Sequence, residues 1–357
     1  MYCKKCGYKL EEDAKVCPFC NHKVNEEIIR HEEKKIVEET VVENADNGLV
    51  NYEKIDNEAA MSNIRTPLGY VNLKTKFWHH VLIACGGYLL MNIIFSVVGS
   101  ALLASYMNKG YTFDCIMNAT TSSAMYACPI EELGPYLLVS SIGQVVGEIG
   151  LALIVLFIFI KYVKTFVLEA KDKKTWKWFG TGLAIMYGGN YAYNIILTLL
   201  QLNSTSSNQD AVNEMIFNNP VLGFLFVVVA APIFEEIIFR FGVFRAFTGK
   251  GKKLEIVGIV VTTILFAGIH MVSTFEEAFA VPGEVNYELL KSDLLSLPIY
   301  LIGAFGLTFA YYKSKNFMTP VAIHMTYNCI SFIAIMSLGN MNLEGVEAIV
   351  RFLPLLI

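Results

Sequence analysis

From Val221 to Phe234 fourteen residues pass without a charged or strongly polar side chain. The run then meets Glu235 and Glu236 side by side, three more apolar residues, and Arg240. At about 1.5 Å per residue this stretch is long enough to cross a bilayer as a helix. Ionisable groups at depth in such a helix cost roughly 2.5–3.5 kcal/mol each, so they are kept where they have a partner or a task. Helical spacing separates the three. Glu236 and Arg240 stand four apart with the acid first, the favourable order for an ion pair on one face. Glu235 falls off that face and is left to point elsewhere. Pro232 removes a backbone donor and loosens the helix one turn earlier. The plain alternative is a helix that ends near Glu235 with a charged rim. Against it, Ile237, Ile238, Phe239, Phe241, Val243 and Phe244 continue the apolar pattern.

Apolar runs of this kind recur after residue 80, roughly at 80–107, 136–160, 178–202, 221–244, 256–273, 295–312 and 317–338. With 54% hydrophobic and 17% charged residues and a mean hydropathy of +0.47, the chain reads as an all-α polytopic membrane protein of about seven transmembrane helices. The expected setting is a bacterial plasma membrane. A net charge of −4 gives no case for nucleic acid as a partner. Basic residues alternate along the loops. They are present before the first segment (Arg65, Lys74, Lys76), at 161–177 (six lysines), at 245–253 and at 313–316; they are sparse or absent at 108–135, 203–220 and 274–294. The positive-inside rule then places the N-terminus in the cytoplasm and the end of the last segment outside. Residues 343–357 are too short to span and suit an interfacial helix. Cys115 and Cys128 share one external loop, where a disulfide is open to them.

The first twenty residues are polar and cysteine-rich, with no secretory signal pattern. Cys3 and Cys6, then Cys17 and Cys20, form two Cys-x-x-Cys knuckles, enough thiolates for one tetrahedral structural zinc. Residues 1–25 are therefore expected to be a small zinc-ribbon module, similar to short ribbons at the N-termini of bacterial membrane proteins. It has too few apolar residues to fold without its metal. Residues 26–60 hold eleven acidic and four basic side chains, and 26–76 read as an acidic flexible linker. Residues 77–357 are the membrane domain.

Two further polar sites fall inside apolar segments: His270, with Phe266 one turn before it, and His324 with Asn328 four residues on. Alone, each suits helix packing. Together with the glutamate pair they give three helices that offer polar groups to one interior. Glu-Glu-x-x-x-Arg (Glu235, Glu236, Arg240), Phe-x-x-x-His (Phe266, His270) and His-x-x-x-Asn (His324, Asn328), in that order, resemble the CAAX prenyl protease and bacteriocin-processing (CPBP, or Abi) family of intramembrane proteases over roughly residues 130–340. The resemblance implies an endopeptidase acting on a membrane-associated peptide or protein, lipidated in some members. Glu235 would be the base for water, with His270 holding the same water; His324 and Asn328 would be donors to the oxyanion, and Glu236, Arg240 and Phe266 would support them. A catalytic zinc on Glu235 and the two histidines is the competing chemistry, since family descriptions divide between metalloprotease and glutamate protease. Asn328 in place of a third strong ligand, and no His-Glu-x-x-His, favour the metal-free reading. The alternative function is a non-proteolytic scaffold or bacteriocin self-immunity factor that keeps the fold. Glu148, Gln144, Asn190 and Asn194 read as interhelical hydrogen-bonding groups, with Glu148 the strongest outside candidate for a substrate contact. Counted from the lysine-rich ends, Glu235 and His324 lie roughly 8–11 Å deep at 1.5 Å per residue, so the cavity is expected to open toward the cytoplasm and sideways to lipid.

Overall fold

The computed structural model describes residues 70–71, 75–119, 122–160, 173–204, 206–249, 251–281 and 283–339. The cysteine knuckles, the acidic linker and the tail 343–357 lie outside the described residues. The chain divides into two units, Met1–Lys74 and Thr75–Ile357, and the described helices lie in the second. In chain order these are α1 (Phe77–Met107), α2 (Asp114–Asn118), α3 (Ser122–Tyr126), α4 (Ile130–Ile158), α5 (Lys173–Leu199), α6 (Ser207–Asn218), α7 (Pro220–Phe244), α8 (Lys252–Ile269), α9 (Val272–Ala278), α10 (Tyr287–Leu294), α11 (Leu297–Ser314) and α12 (Met318–Gly339).

Among the described residues five stretches are long and apolar enough to cross a membrane: α1, α4, α7, Tyr287–Ser314 and Met318–Ser337. The pair α8 and α9, bent by 42°, makes a sixth if the two are one span. The expected segment at 178–202 forms α5, 27 residues long, but it does not reach the same hydropathy. The reason is its packing. A Cβ on Gly182 would lie 2.5 Å from Ile323 of α12, and one on Gly189 would lie 2.7 Å from Ile302 of α11. Glycine lets these helices approach closely, as small residues do between membrane helices. Met186 of α5 joins Leu307, Ala310, Ile323 and Tyr327 in one buried cluster. A second cluster joins Leu151, Phe234, Ile238, Phe239, Phe266 and Ala304. The polar site lies where α5, α7, α8, α11 and α12 meet.

Helix α7 is not regular. Leu225–Ala230 is a π segment immediately before Pro232, where the expected loosening falls, and Glu236–Phe244 is a second one. The wider turns are held from outside: His80 Nδ1 donates to the Phe241 carbonyl at 2.8 Å, and a Cβ on Gly242 would meet the Ala84 backbone at 3.0 Å.

The two ends of the bundle differ. At the lysine-rich end, Lys315 pairs with Glu255 at 3.4 Å, Arg245 donates to Tyr311 at 3.3 Å, and Asn316 bonds Thr175 while its Oδ1 caps Met318. Burial lowers the Lys315 ammonium pKa against the opposing pull of Glu255. At the lysine-poor end, Cys115 and Cys128 are bonded. There the buried Asp293 carboxylate accepts from Ser207 N, Ser207 Oγ and Thr274 Oγ1 at 2.9, 2.6 and 2.8 Å. That bond set joins α6, α9 and α10.

Candidate active site

Arg240 and Glu236 are fully buried and paired, with Nη1 on Oε1 at 2.8 Å, as their spacing requires. Arg240 Nη2 also donates to the Ala304 carbonyl at 3.2 Å, and its guanidinium lies 4.6 Å from the Phe266 ring centre. His324 Nδ1 reaches the same Glu236 oxygen at 2.9 Å. A carboxylate paired with a guanidinium can only accept, so the hydrogen of this bond sits on Nδ1. His324 Nε2 then faces Glu235 Oε2 at 3.7 Å. That Oε2 is buried and has no hydrogen-bond partner among the described residues. Glu235 is thus separated from the ion pair, and the two glutamates differ in environment although they are neighbours in sequence.

His270 ends α8 at the bend. Its ring contacts Phe266 at 4.9 Å and Tyr300 at 4.5 Å, parallel to Tyr300 within 8°. Its greater depth follows from register. Glu255, held to Lys315, sits eleven residues before Phe266, about 16 Å along the helix, and His270 is one turn further. Asn328 donates through Nδ2 to the Val227 carbonyl at 2.8 Å, which leaves its second N–H and its Oδ1 uncommitted to that bond.

Glu235, His270, His324 and Asn328 line one cavity of about 140 Å³, room for several waters. All four candidate groups are brought together. The rest of the lining is informative about direction. It runs along Val227 and Ala231 of α7, Asn190 of α5 and Tyr300 of α11 to Asn208, Gln209 and Val212 of α6. Every one of these lies on the lysine-poor side of Glu235. Toward the lysine-rich end, Ile237, Ile238, Phe239, Phe241 and Phe244 are buried, with Phe241 against the Phe159 and Phe317 rings. That half also holds a second, apolar cavity of about 570 Å³, lined by Phe159, Ile237, Phe241 and Phe317 among others and not by Glu235. The rim on α6 carries Asp210, whose carboxyl pKa is pushed up by burial and by Asp293.

Other expectations resolve one by one. Asn190 is an interhelical group, donating to Tyr327 at 2.9 Å, whereas Asn194 bonds the Asn190 carbonyl within its own helix. Glu148 is buried on α4 within electrostatic reach of Glu235 but does not line the cavity. Tyr300 and the α6 residues carried no signal in the sequence, because no motif marks them. On the competing catalytic zinc, no three His, Cys, Asp or Glu side chains among the described residues are placed to hold a metal ion together; the Nδ1 bond of His324 to Glu236 leaves Nε2 free and does not bear on the choice.

Comparison with known proteins bears on the same stretch. Residues 217–330 match the family model for type II CAAX prenyl endopeptidase Rce1-like proteins. The match supports the resemblance drawn from the motifs. It takes in all seven motif residues, from Glu235 to Asn328, and points to a membrane protease family. The chain is also 24% identical over 166 residues to the UPF0177 protein YvdC of Lactococcus lactis subsp. lactis (strain IL1403), across 45% of this chain and 55% of that protein. The chain thus spans about half the length of the curated relative it matches. No solved structure matches.

Proposed function

We propose that this protein is an intramembrane endopeptidase that hydrolyses a peptide bond with water activated by Glu235, on a membrane-associated peptide or protein substrate. The observation that carries the reading is an unpartnered carboxylate oxygen set beside a histidine whose other nitrogen is already bound. Glu235 takes a proton from water as the hydroxide adds to the substrate carbonyl. His324 Nε2, turned to Glu235 by the Nδ1 bond to Glu236, passes that proton to the leaving amine as the C–N bond breaks. Because Nδ1 carries the hydrogen, neutral His324 is not an oxyanion donor, in contrast to its expected role. Asn328, through its second N–H, and His270 are the donors left for the oxyanion. Neutral His270 carries one ring N–H, which can serve the oxyanion or the water but not both. A carboxyl product and an amine result, and Glu235 returns to its starting state.

The test is cleavage of membrane peptides by wild-type and Glu235→Gln protein, scored by proteomics of the membrane fraction. Glu235→Gln should lower turnover by about 10²–10⁴-fold, the usual worth of a general base, with folding unchanged. Full activity in that variant overturns the assignment. The four N-terminal thiolates, Cys3, Cys6, Cys17 and Cys20, are proposed to bind one structural zinc apart from this chemistry. Serine at all four positions of the full chain should remove the metal and leave cleavage intact. Stoichiometric zinc remaining in that variant would place a metal in the membrane site instead.

A further inference from the structure

Among the described residues His270 makes no hydrogen bond to the protein, so no polar partner sets the angle of its ring. A histidine χ2 is broad when nothing restrains it. The restraint here is aromatic: Phe266 lies tilted with its ring centre 4.9 Å away, and Tyr300 lies parallel 4.5 Å away. Phe266 is fixed in turn by Arg240 and Phe239. Tyr300 is fixed at its far end. Its hydroxyl is 2.7 Å from Ser206 Oγ and accepts from Asn208 Nδ2 at 3.3 Å. Ser206 is the N-cap of α6, accepting from Gln209 N at 3.2 Å. A continuous chain of contacts therefore runs from the start of α6, over the cavity, through Tyr300 to the imidazole.

We propose that Tyr300 is a positioning residue of the hydrolytic site, clamping the His270 ring against Phe266 so that a ring nitrogen stays directed into the cavity shared with Glu235. The proposal rests on the reading of His270 as a group that binds water or the oxyanion. The parallel face restricts the ring plane, and the hydroxyl bonds keep Tyr300 from turning away. Neither contribution requires Tyr300 to touch the substrate. The clamp also means that a chain entering past α6 presses on the group that orients His270.

The test uses full-length protein in detergent and acylation of histidines by diethyl pyrocarbonate, read residue by residue by peptide mass spectrometry. It needs no substrate, so it stands or falls apart from the proteolytic reading. Tyr300→Leu should raise the acylation rate of His270 several-fold, while His324, held by Glu236, stays at the wild-type rate. Tyr300→Trp, which restores a flat face without the hydroxyl anchor, should bring His270 part of the way back toward the wild-type rate. Equal His270 rates in the wild type and the Leu variant overturn the clamp. If His324 also speeds up in the Leu variant, the fold has loosened and Tyr300→Phe decides. That variant keeps the face and loses only the hydroxyl anchor, and it should raise the His270 rate alone; no rise overturns the proposal. On a cleaved peptide, the Leu variant should lower kcat with KM little changed, and Trp should restore part of it. A rise in KM alone would make Tyr300 a binding residue and sink the positioning role.

Discussion

Arg240 and Glu236 are each fully buried, and Glu236 serves two masters, the guanidinium and His324. Removing one member of a buried ion pair leaves an uncompensated charge and costs about 3–5 kcal/mol, whereas replacing both by apolar groups is often neutral. Arg240→Met should therefore destabilise the protein strongly, and Arg240→Met with Glu236→Leu should recover much of the loss. Cleavage should stay lost in the double variant, because His324 no longer has an acceptor to hold Nδ1. Thermal unfolding in detergent and peptide cleavage, measured on the same preparations, separate the two effects. A single variant as stable as wild type would show that the pair is not the buried unit described. The pair was legible in sequence because it is local: four residues on one helix decide it. The bond from His324 to Glu236 spans 88 positions, and nothing in either motif says which glutamate the histidine meets. With its hydrogen on Nδ1, that one contact leaves Nε2 of neutral His324 as an acceptor, a distinction spacing alone does not carry.

At the scale of helices, what the sequence carried well was apolar length, and what it carried poorly was partner choice. The stretch 221–244 reads as one span and forms one, and Pro232 marks where it loosens. The second π segment, Glu236–Phe244, has no proline to announce it. It is shaped by neighbours, His80 capping the Phe241 carbonyl and Ala84 lying against Gly242. Helix α5 shows the opposite failing. Gly182, Gly189, Asn190 and Asn194 lower its hydropathy, yet these are the residues that seat it against α11 and α12 or bond within that seam. A scale built on transfer to lipid undervalues a helix whose partners are other helices. Helix α6 was read only as part of a loop without basic residues, although Ser206 and Asp293 cap and anchor it over the cavity.

For the molecule as a whole, the lysines alternate between the two ends of the bundle, and the α6 wall of the polar cavity lies at the lysine-poor end. The lysine-rich ends carry Arg245, Lys315 and their bonded partners, and the half of the bundle next to them holds the apolar cavity lined by Phe159, Phe241 and Phe317, not the polar one. The lysine-poor end carries the Cys115–Cys128 disulfide, a bond at home outside the reducing cytoplasm, and also the α6 wall of the cavity. If lysine-rich means cytoplasmic, the reacting water is reached from the outer face or from the outer half of the bilayer. The substrate would then be an extracytoplasmic or membrane-buried segment, the reverse of what depth counted along α7 and α12 suggested. Single cysteines at Gln209 and at Thr248, in protein whose free cysteines have been replaced, make this testable with a membrane-impermeant maleimide on intact cells. Gln209→Cys on the cavity wall should be labelled from outside, and Thr248→Cys, beside Arg245, only after the cells are opened. Glu235→Cys should follow Gln209, more slowly, because the reagent must pass α6 to reach it. Labelling of Thr248→Cys on intact cells would invert the topology, and labelling of Glu235→Cys only after opening would return the substrate to the cytoplasmic side.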